Sequence, residues 1–378
     1  MQMLSIENLS YWEKDVYFRS VDFVVIGAGI VGLNTALRLR ELHPKGKILV
    51  LERGYLPAGA STKNAGFACF GSPTELLSDL KNHTEKEVVE LVKMRWNGLK
   101  TLRKICGDEK IVYKNYGSHE VFNKNSLAIY ENAVKNLNYL NDLVEAAISK
   151  NNTFSVAKNS FFKNVSGLIF NQYEGQINTG EMMKTLLNIV QSKGISILNG
   201  FNIESWEDQD NKVLISTNYG EIETKKLLIA SNGLSKKILP NEDVKPARAQ
   251  VLITKPIENL KIKGTFHYDE GFYYFRNVGN RILIGGGRNV DVQGETTTEM
   301  NTSNLILDSV KSLLSEVVLP NQKYEIDCSW AGIMGVGNQK KPILKKHSTN
   351  VYLGIRLGGM GVAIGSGIGK RLAEIGLS

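Results

Sequence analysis

The chain has little cysteine, little proline and no long apolar run. Its three cysteines among 378 residues, Cys69, Cys106 and Cys328, form no CxxC pair and leave one over. That excludes a disulfide framework and a cysteine-based zinc site, so no metal is expected, and it fits a reducing compartment. No apolar stretch approaches the ~20 residues that a membrane helix needs. The first stretch carries Glu7, Glu13, Lys14, Asp15 and Arg19 without an apolar core, unlike a secretory signal. The expectation is a cytoplasmic protein. A long basic run is missing too. The formal net charge is +8, but doublets such as Lys225-Lys226 and Lys345-Lys346 stand far apart, and no nucleic-acid-binding motif is present. Nucleic acid is therefore not an expected partner.

Glycine is abundant, with 36 residues against 8 prolines, clustered at Gly27–Gly32, Gly285–Gly287 and Gly354–Gly369. Such clusters mark backbone pressed against something, because a residue without Cβ permits positive φ and close approach. The first cluster sits in DFVVIGAGIVGLNTALRLRELHPKGKILVLE, residues 22–52. Phe23–Ile26 reads as a buried parallel strand, Leu33, Ala36, Leu37 and Arg40 keep helical spacing, and Ile48–Leu51 is a second strand ending in Glu52. Gly27, Gly29 and Gly32 stand in G-x-G-x-x-G spacing. They would make the turn, admit a pyrophosphate and let helix pack on strand, while the helix N-terminus offers free N–H groups to phosphate. Glu52 would accept hydrogen bonds from ribose hydroxyls. Ala28, Ile30 and Arg53 flank these positions and complete the expected dinucleotide-binding set of this unit.

The stretch beyond Glu52 favours FAD over NAD. Residues 53–66, RGYLPAGASTKNAG, form a loop of small and polar residues where an NAD enzyme would proceed to a further helix. It can run back along a dinucleotide, with the Ser61 and Thr62 hydroxyls on phosphate and the Asn64–Gly66 backbone near a ring; Ala60, Ala65 and Phe67 belong to the same stretch. Farther on, Gln176-Ile177-Asn178-Thr179 precedes an amphipathic helix, and a hairpin over Val213–Thr224 leads into Leu227–Gly233. At the C-terminus Val351–Ile355 is a strand, Arg356–Gly361 a glycine-rich turn, and Val362–Ile375 a helix.

These four blocks, in this order, resemble the family of D-amino acid oxidase, glycine oxidase and monomeric sarcosine oxidase. The resemblance implies an α/β fold: a Rossmann-like FAD-binding domain, discontinuous over 15–75, 170–240 and 328–378, and a mostly antiparallel substrate domain from 76–169 and 241–327. Residues 1–14 are an N-terminal extension whose Tyr11-Trp12, with Tyr17-Phe18 just beyond, point to packing on the body. It implies non-covalent FAD, with Ile203 at the adenine and Ala230, Ser231, Asn232 and Gly233 against the dinucleotide. Gly332, Arg356, Gly358, Gly359, Met360, Gly361 and Val362 would lie at the ring, where the C-terminal helix dipole would stabilise charge on the reduced flavin.

The activity it implies is oxidation of a small amine or amino acid. Hydride would pass from Cα to flavin N5, and the electrons onward to O2, a quinone or a protein. Family members grip the substrate carboxylate with arginine and tyrosine, the arginine lying in W-x-G-x-R-P. Here Trp330-Ala331-Gly332-Ile333-Met334-Gly335 has Met334 in its place. Either the carboxylate is held elsewhere, with Arg276, Arg356 and Tyr274 as the candidate residues, or the substrate has none. His267 is not expected to act as a base, and apolar Leu283 stands where sarcosine oxidases carry an oxygen-activating lysine. Two other readings remain open, a tRNA-modifying flavoprotein and a flavin-binding protein without amine turnover. Oligomeric state is not legible.

Overall fold

The strand Val21–Ile26 has every side chain buried except Asp22, which requires cover on both faces. It runs parallel to Ile48–Glu52 on one side and to Gly220–Ile229 on the other. Ser196–Asn199 and Val351–Ile355 extend the parallel array outward, and Ile343–Lys346 closes one edge in antiparallel sense. The strands Ile203–Gln209 and Lys212–Thr217 join through Gly220–Ile229 as a β-meander. The computed structural model describes residues 5–377.

Two helices, Ile30–Leu42 and Gly361–Leu377, lie side by side on this sheet, and Glu85–Cys106 packs on Gly361–Leu377. Glycine sets the approach. A Cβ added at Gly32 would stand 1.8 Å from the Gly27 carbonyl oxygen, and one at Gly98 2.0 Å from that of Ala363. No side chain fits at either place.

The second sheet runs Ile326–Val336, Lys245–Thr254, Arg281–Gly286, Tyr273–Val278, Thr265–Tyr268, Ser118–Asn123, Val165–Asn171 and Phe154–Ala157. All neighbours are antiparallel except Thr265–Tyr268 against Ser118–Asn123. On one face Phe266 and Phe275 stack at 4.8 Å over Phe162, with the helix Asn304–Leu313 beneath. The opposite face looks toward the first sheet. This is the α/β, Rossmann-like plus antiparallel arrangement expected.

Pro73–Asp79 and Glu85–Cys106 are separate helices, because Thr84 and Glu87 form a capping box that starts the second. Leu127–Lys135 and Leu137–Ile148 follow. Other details differ from expectation. The strand Ile326–Val336 pairs along its length with Lys245–Thr254, so it belongs to the antiparallel sheet and not to a flavin segment starting at 328. In the N-terminal region Phe18 packs on Phe201, but Tyr11 and Trp12 pack on each other and stay 58% and 73% exposed. Residues 1–4 of that extension lie outside the described residues. Among the described residues no helix is long and apolar enough to cross a membrane.

Candidate active site

A cleft of about 670 Å³ runs between the two sheets. Its dinucleotide end is built by backbone. The helix Ile30–Leu42 opens on it with Gly29 as N-cap. Ala28 N–H donates to Glu52 Oε2 at 3.0 Å, and Gly54 N–H to Glu52 Oε1 at 2.9 Å, so the carboxylate is fixed at the strand end. Gly27, Gly29, Ile30, Glu52, Arg53, Ile203, Ala230, Ser231 and Asn232 all line this part. Ala28, Gly32 and Gly233 do not. Ala28 is enclosed, Gly32 packs on Gly27, and Gly233 lies against the Met334 carbonyl.

The loop after Glu52 is pinned from two sides. Ile177 N–H bonds the Gly66 carbonyl at 2.9 Å, Thr179 Oγ1 bonds Asn64, and Trp330 Nε1 bonds the Lys63 carbonyl at 2.9 Å. Asn64 Oδ1 in turn takes Gly66 N–H at 2.8 Å. Ala60, Ser61, Asn64, Ala65, Gly66 and Phe67 line the cleft. Ser61 Oγ accepts the Ile30 N–H at 2.9 Å, at the mouth of the phosphate-binding helix. Thr62 departs from expectation. Its hydroxyl donates to the Pro57 and Gly59 carbonyls within the loop, and it does not face the cleft.

The C-terminal turn closes the other side. Leu357 N–H donates to Asn232 Oδ1 and Gly358 N–H to the Gly335 carbonyl. Gly332, Gly358, Gly359, Met360, Gly361 and Val362 line the cleft, where the helix Gly361–Leu377 begins. A Cβ added at Gly59, Gly358 or Gly361 would meet nothing within 4 Å, so these backbones face open space. Two helix N-termini, a fixed carboxylate and bare glycine backbone along one cleft suit a long, doubly anionic dinucleotide.

The roof is the free face of the antiparallel sheet. Strand registers place Trp330, Val251, Gly285, Tyr274, His267 and Glu120 in one row across six strands, and Cys328, Ile253, Leu283, Arg276, Thr265 and Ser118 in the next. Phe67 meets Tyr274 and His267 edge-on, at 5.6 and 5.3 Å between ring centres. Burial pushes the Tyr274 phenol up to about 12 and lowers the His267 imidazole, so both are neutral near pH 7.

Two of the three residues expected to hold a carboxylate do not line the cleft. Arg356 adopts φ +60, and its guanidinium bonds Asp243 Oδ2 at 2.6 Å and the Asp243 and Lys341 carbonyls. It is a strut under the C-terminal turn. Arg276 lies behind the loop: its Nη2 is 2.9 Å from where a Gly66 Cβ would stand. It is buried, has no hydrogen bond or ion pair among the described residues, and burial lowers it to about 10. Tyr274 does face the cleft, as does Met334.

Other polar groups at the cleft or just behind it were not expected from the sequence. Glu75 receives Arg95 at 2.9 Å and Lys340 at 3.4 Å, and Lys340 also meets Asp79 at 2.5 Å. Burial alone would raise the Glu75 carboxyl, but these cations hold it at about 2. Arg95 had a signal, since it breaks the apolar stripe Val88, Val92, Leu99, Leu102 on its helix. Glu120 is the reverse case. Burial raises its carboxyl to about 7, against hydrogen bonds from Ser72 and Thr74. Donor atoms of Cys69, Glu174 and His267 approach within 4.8 Å of one another, but Glu174 already accepts from the Phe70 and Gly71 amides and Ser118. Burial also drives the Cys69 thiol well up, away from a ligating thiolate.

Comparison with known proteins agrees with this geometry. The chain is 22% identical to a probable oxidoreductase (OrdL) of Haemophilus influenzae, over 93% of this chain and 82% of that protein. Its fold matches iminodiacetate oxidase from Chelativorans sp. with TM-score 0.74 at 16% identity, covering 94% of this chain and 95% of that one. Glycine oxidase from Bacillus cereus matches with TM-score 0.71 at 17% identity, covering 94% and 97%. The model of the DAO family, FAD dependent oxidoreductase, matches residues 22–375, so the chain belongs to that family, an FAD enzyme.

Proposed function

We propose that the protein oxidises a small amine or amino acid. Bound FAD supplies the hydride acceptor, N5, for the hydrogen on the substrate Cα, and the resulting imine hydrolyses. The observation that carries this reading is continuity. One cleft joins the dinucleotide end at Glu52 to a chamber roofed by Phe67, Tyr274 and His267. Of the residues expected at FAD, those the cleft exposes are proposed to hold it, which leaves out Ala28, Gly32, Thr62, Gly233 and Arg356. Gly27, Gly29 and the N–H groups of the Ile30–Leu42 helix would take pyrophosphate, and Glu52 a ribose. The Gly361–Leu377 helix would direct its positive end at the ring. The aromatic roof excludes water from the reacting carbon, and a neutral His267 places no extra charge beside it. The parallel sheet with its helices is the cofactor half, and the antiparallel sheet the substrate half.

The test is an anaerobic titration of the FAD-loaded protein with glycine, sarcosine, proline and D- and L-amino acids, followed by flavin absorbance. Bleaching by one compound class supports the reading and names the class. A protein that takes up FAD but is bleached by no amine or amino acid overturns it.

A further inference from the structure

Four arginines are buried among the described residues, and three of them pair with a carboxylate: Arg95 with Glu75, Arg248 with Glu295 and Arg356 with Asp243. Arg276 is the fourth, only 6% exposed, and it has none. Its Nε is orphaned, and its guanidinium makes no hydrogen bond or ion pair among the described residues. Across the sheet it stands between Thr265 and Leu283, neither of which carries charge. The titratable group that acts on it is the Cys69 thiol, which burial keeps neutral. Glu174, the nearest acid to Cys69, is spent on the Phe70 and Gly71 amides and on Ser118.

A lone cation away from water is costly unless an anion comes near it. One layer of backbone separates Arg276 from the place where an anion can come. Its Nη2 is 2.9 Å from where a Gly66 Cβ would stand, and Gly66, with Ala65 and Phe67 on either side, lines the cleft. The backbone of Gly66 is already engaged, its N–H with Asn64 Oδ1 and its carbonyl with Ile177 N–H. It therefore does not answer the guanidinium. With φ at +74, Gly66 holds a conformation that a side chain would strain, so the layer stays thin. Leu283 and Ala65 pack together beside it with Val251, which leaves little water to screen the charge.

We propose that Arg276 is an electrostatic positioning residue: its charge, acting across the Gly66 backbone, favours the reduced, anionic state of bound FAD and raises its reduction potential. It touches neither substrate nor cofactor. What it supplies is a fixed charge in a place of low dielectric, set before the reaction begins. The same burial that leaves it without a partner in the protein makes its field effective in the cleft. The inference needs FAD in the cleft, and it holds whichever compound supplies the hydride.

The experiment compares FAD-loaded parent, Arg276→Met and Arg276→Lys without any substrate. One arm is reductive titration against a reference dye, which gives the midpoint potential. The other is titration with sulfite, read by flavin absorbance. Sulfite adds its electron pair to N5 and leaves negative charge on the ring, so it reports the same preference. In R276M the sulfite dissociation constant should rise roughly ten- to a hundredfold. The reduction equilibrium should fall by the same factor, about 30 to 60 mV for a two-electron couple. R276K keeps the charge and loses the planar shape, and should stay close to the parent. If R276M does not hold FAD, Arg276→Gln takes its place in the comparison. A neutral variant with the parent's potential and sulfite affinity overturns the proposal. So does R276K falling as far as R276M, since shape and not charge would then be the cause.

Discussion

The two ends of the cleft are built on different plans. At the dinucleotide end the groups that matter are backbone: amides at helix starts, glycines where a side chain would collide, and one carboxylate, Glu52, tied to amides. Most of it comes from two contiguous stretches, 21–67 and 351–363, plus the turn that follows the strand Gly220–Ile229. At the substrate end the groups are side chains on neighbouring strands and helices, such as Tyr274, His267, Arg288, Glu75 and Arg95. Short-range geometry suffices for the first. Only the register of the antiparallel sheet assembles the second.

The largest expected effect breaks the first end. Gly32→Val sets a side chain 1.8 Å from a carbonyl oxygen and should prevent folding or leave a colourless protein, read by flavin absorbance after purification. The substrate end should respond through charge, and its two buried carboxyls should respond with opposite sign. Glu75, held at about 2 against an ordinary 4.5, stabilises the fold above pH 4.5, and this is lost as pH falls toward 2. Glu75→Gln should therefore lower stability at pH 7 by on the order of 3 kcal/mol, with the difference shrinking toward pH 3 in urea melts.

Glu120, raised to about 7, favours the fold below pH 4.5, and that contribution is lost as pH rises through 7. Glu120→Gln should flatten the stability profile between pH 5 and pH 8, where the parent falls by about 2 to 3 kcal/mol. Parallel slopes in parent and variant would show that the carboxyl titrates normally. The smallest effect belongs to Arg356. Because its guanidinium holds Asp243 and carbonyls, Arg356→Lys should cost about 1 to 2 kcal/mol in a thermal melt while KM stays at the parent value. A raised KM with unchanged stability would return Arg356 to the substrate.

Much of the cofactor end was legible. Gly27, Gly29, Gly32 and Glu52 declare themselves through spacing, because a strand, a turn and a helix start lie within one short segment. The helix start at Thr84 is also written locally, in Thr84 and Glu87. Arg276 and Arg356 were credible from sequence and misplaced by it. Arg276 points to the correct face of its strand, but the loop at Gly66 stands between it and the cleft.

The sequence by itself determined the dinucleotide-binding unit, the fold class and the family, because these rest on periodicity, glycine spacing and helix-start chemistry acting over a few residues. Tertiary structure alone decided which cations are free. A guanidinium is a ligand or a strut according to what lies within hydrogen-bond reach of it, and for Arg356 that is Asp243, more than a hundred residues away in the chain. Glu295 shows the same rule from the acid side, since its partner is Arg248, 47 residues away in the chain.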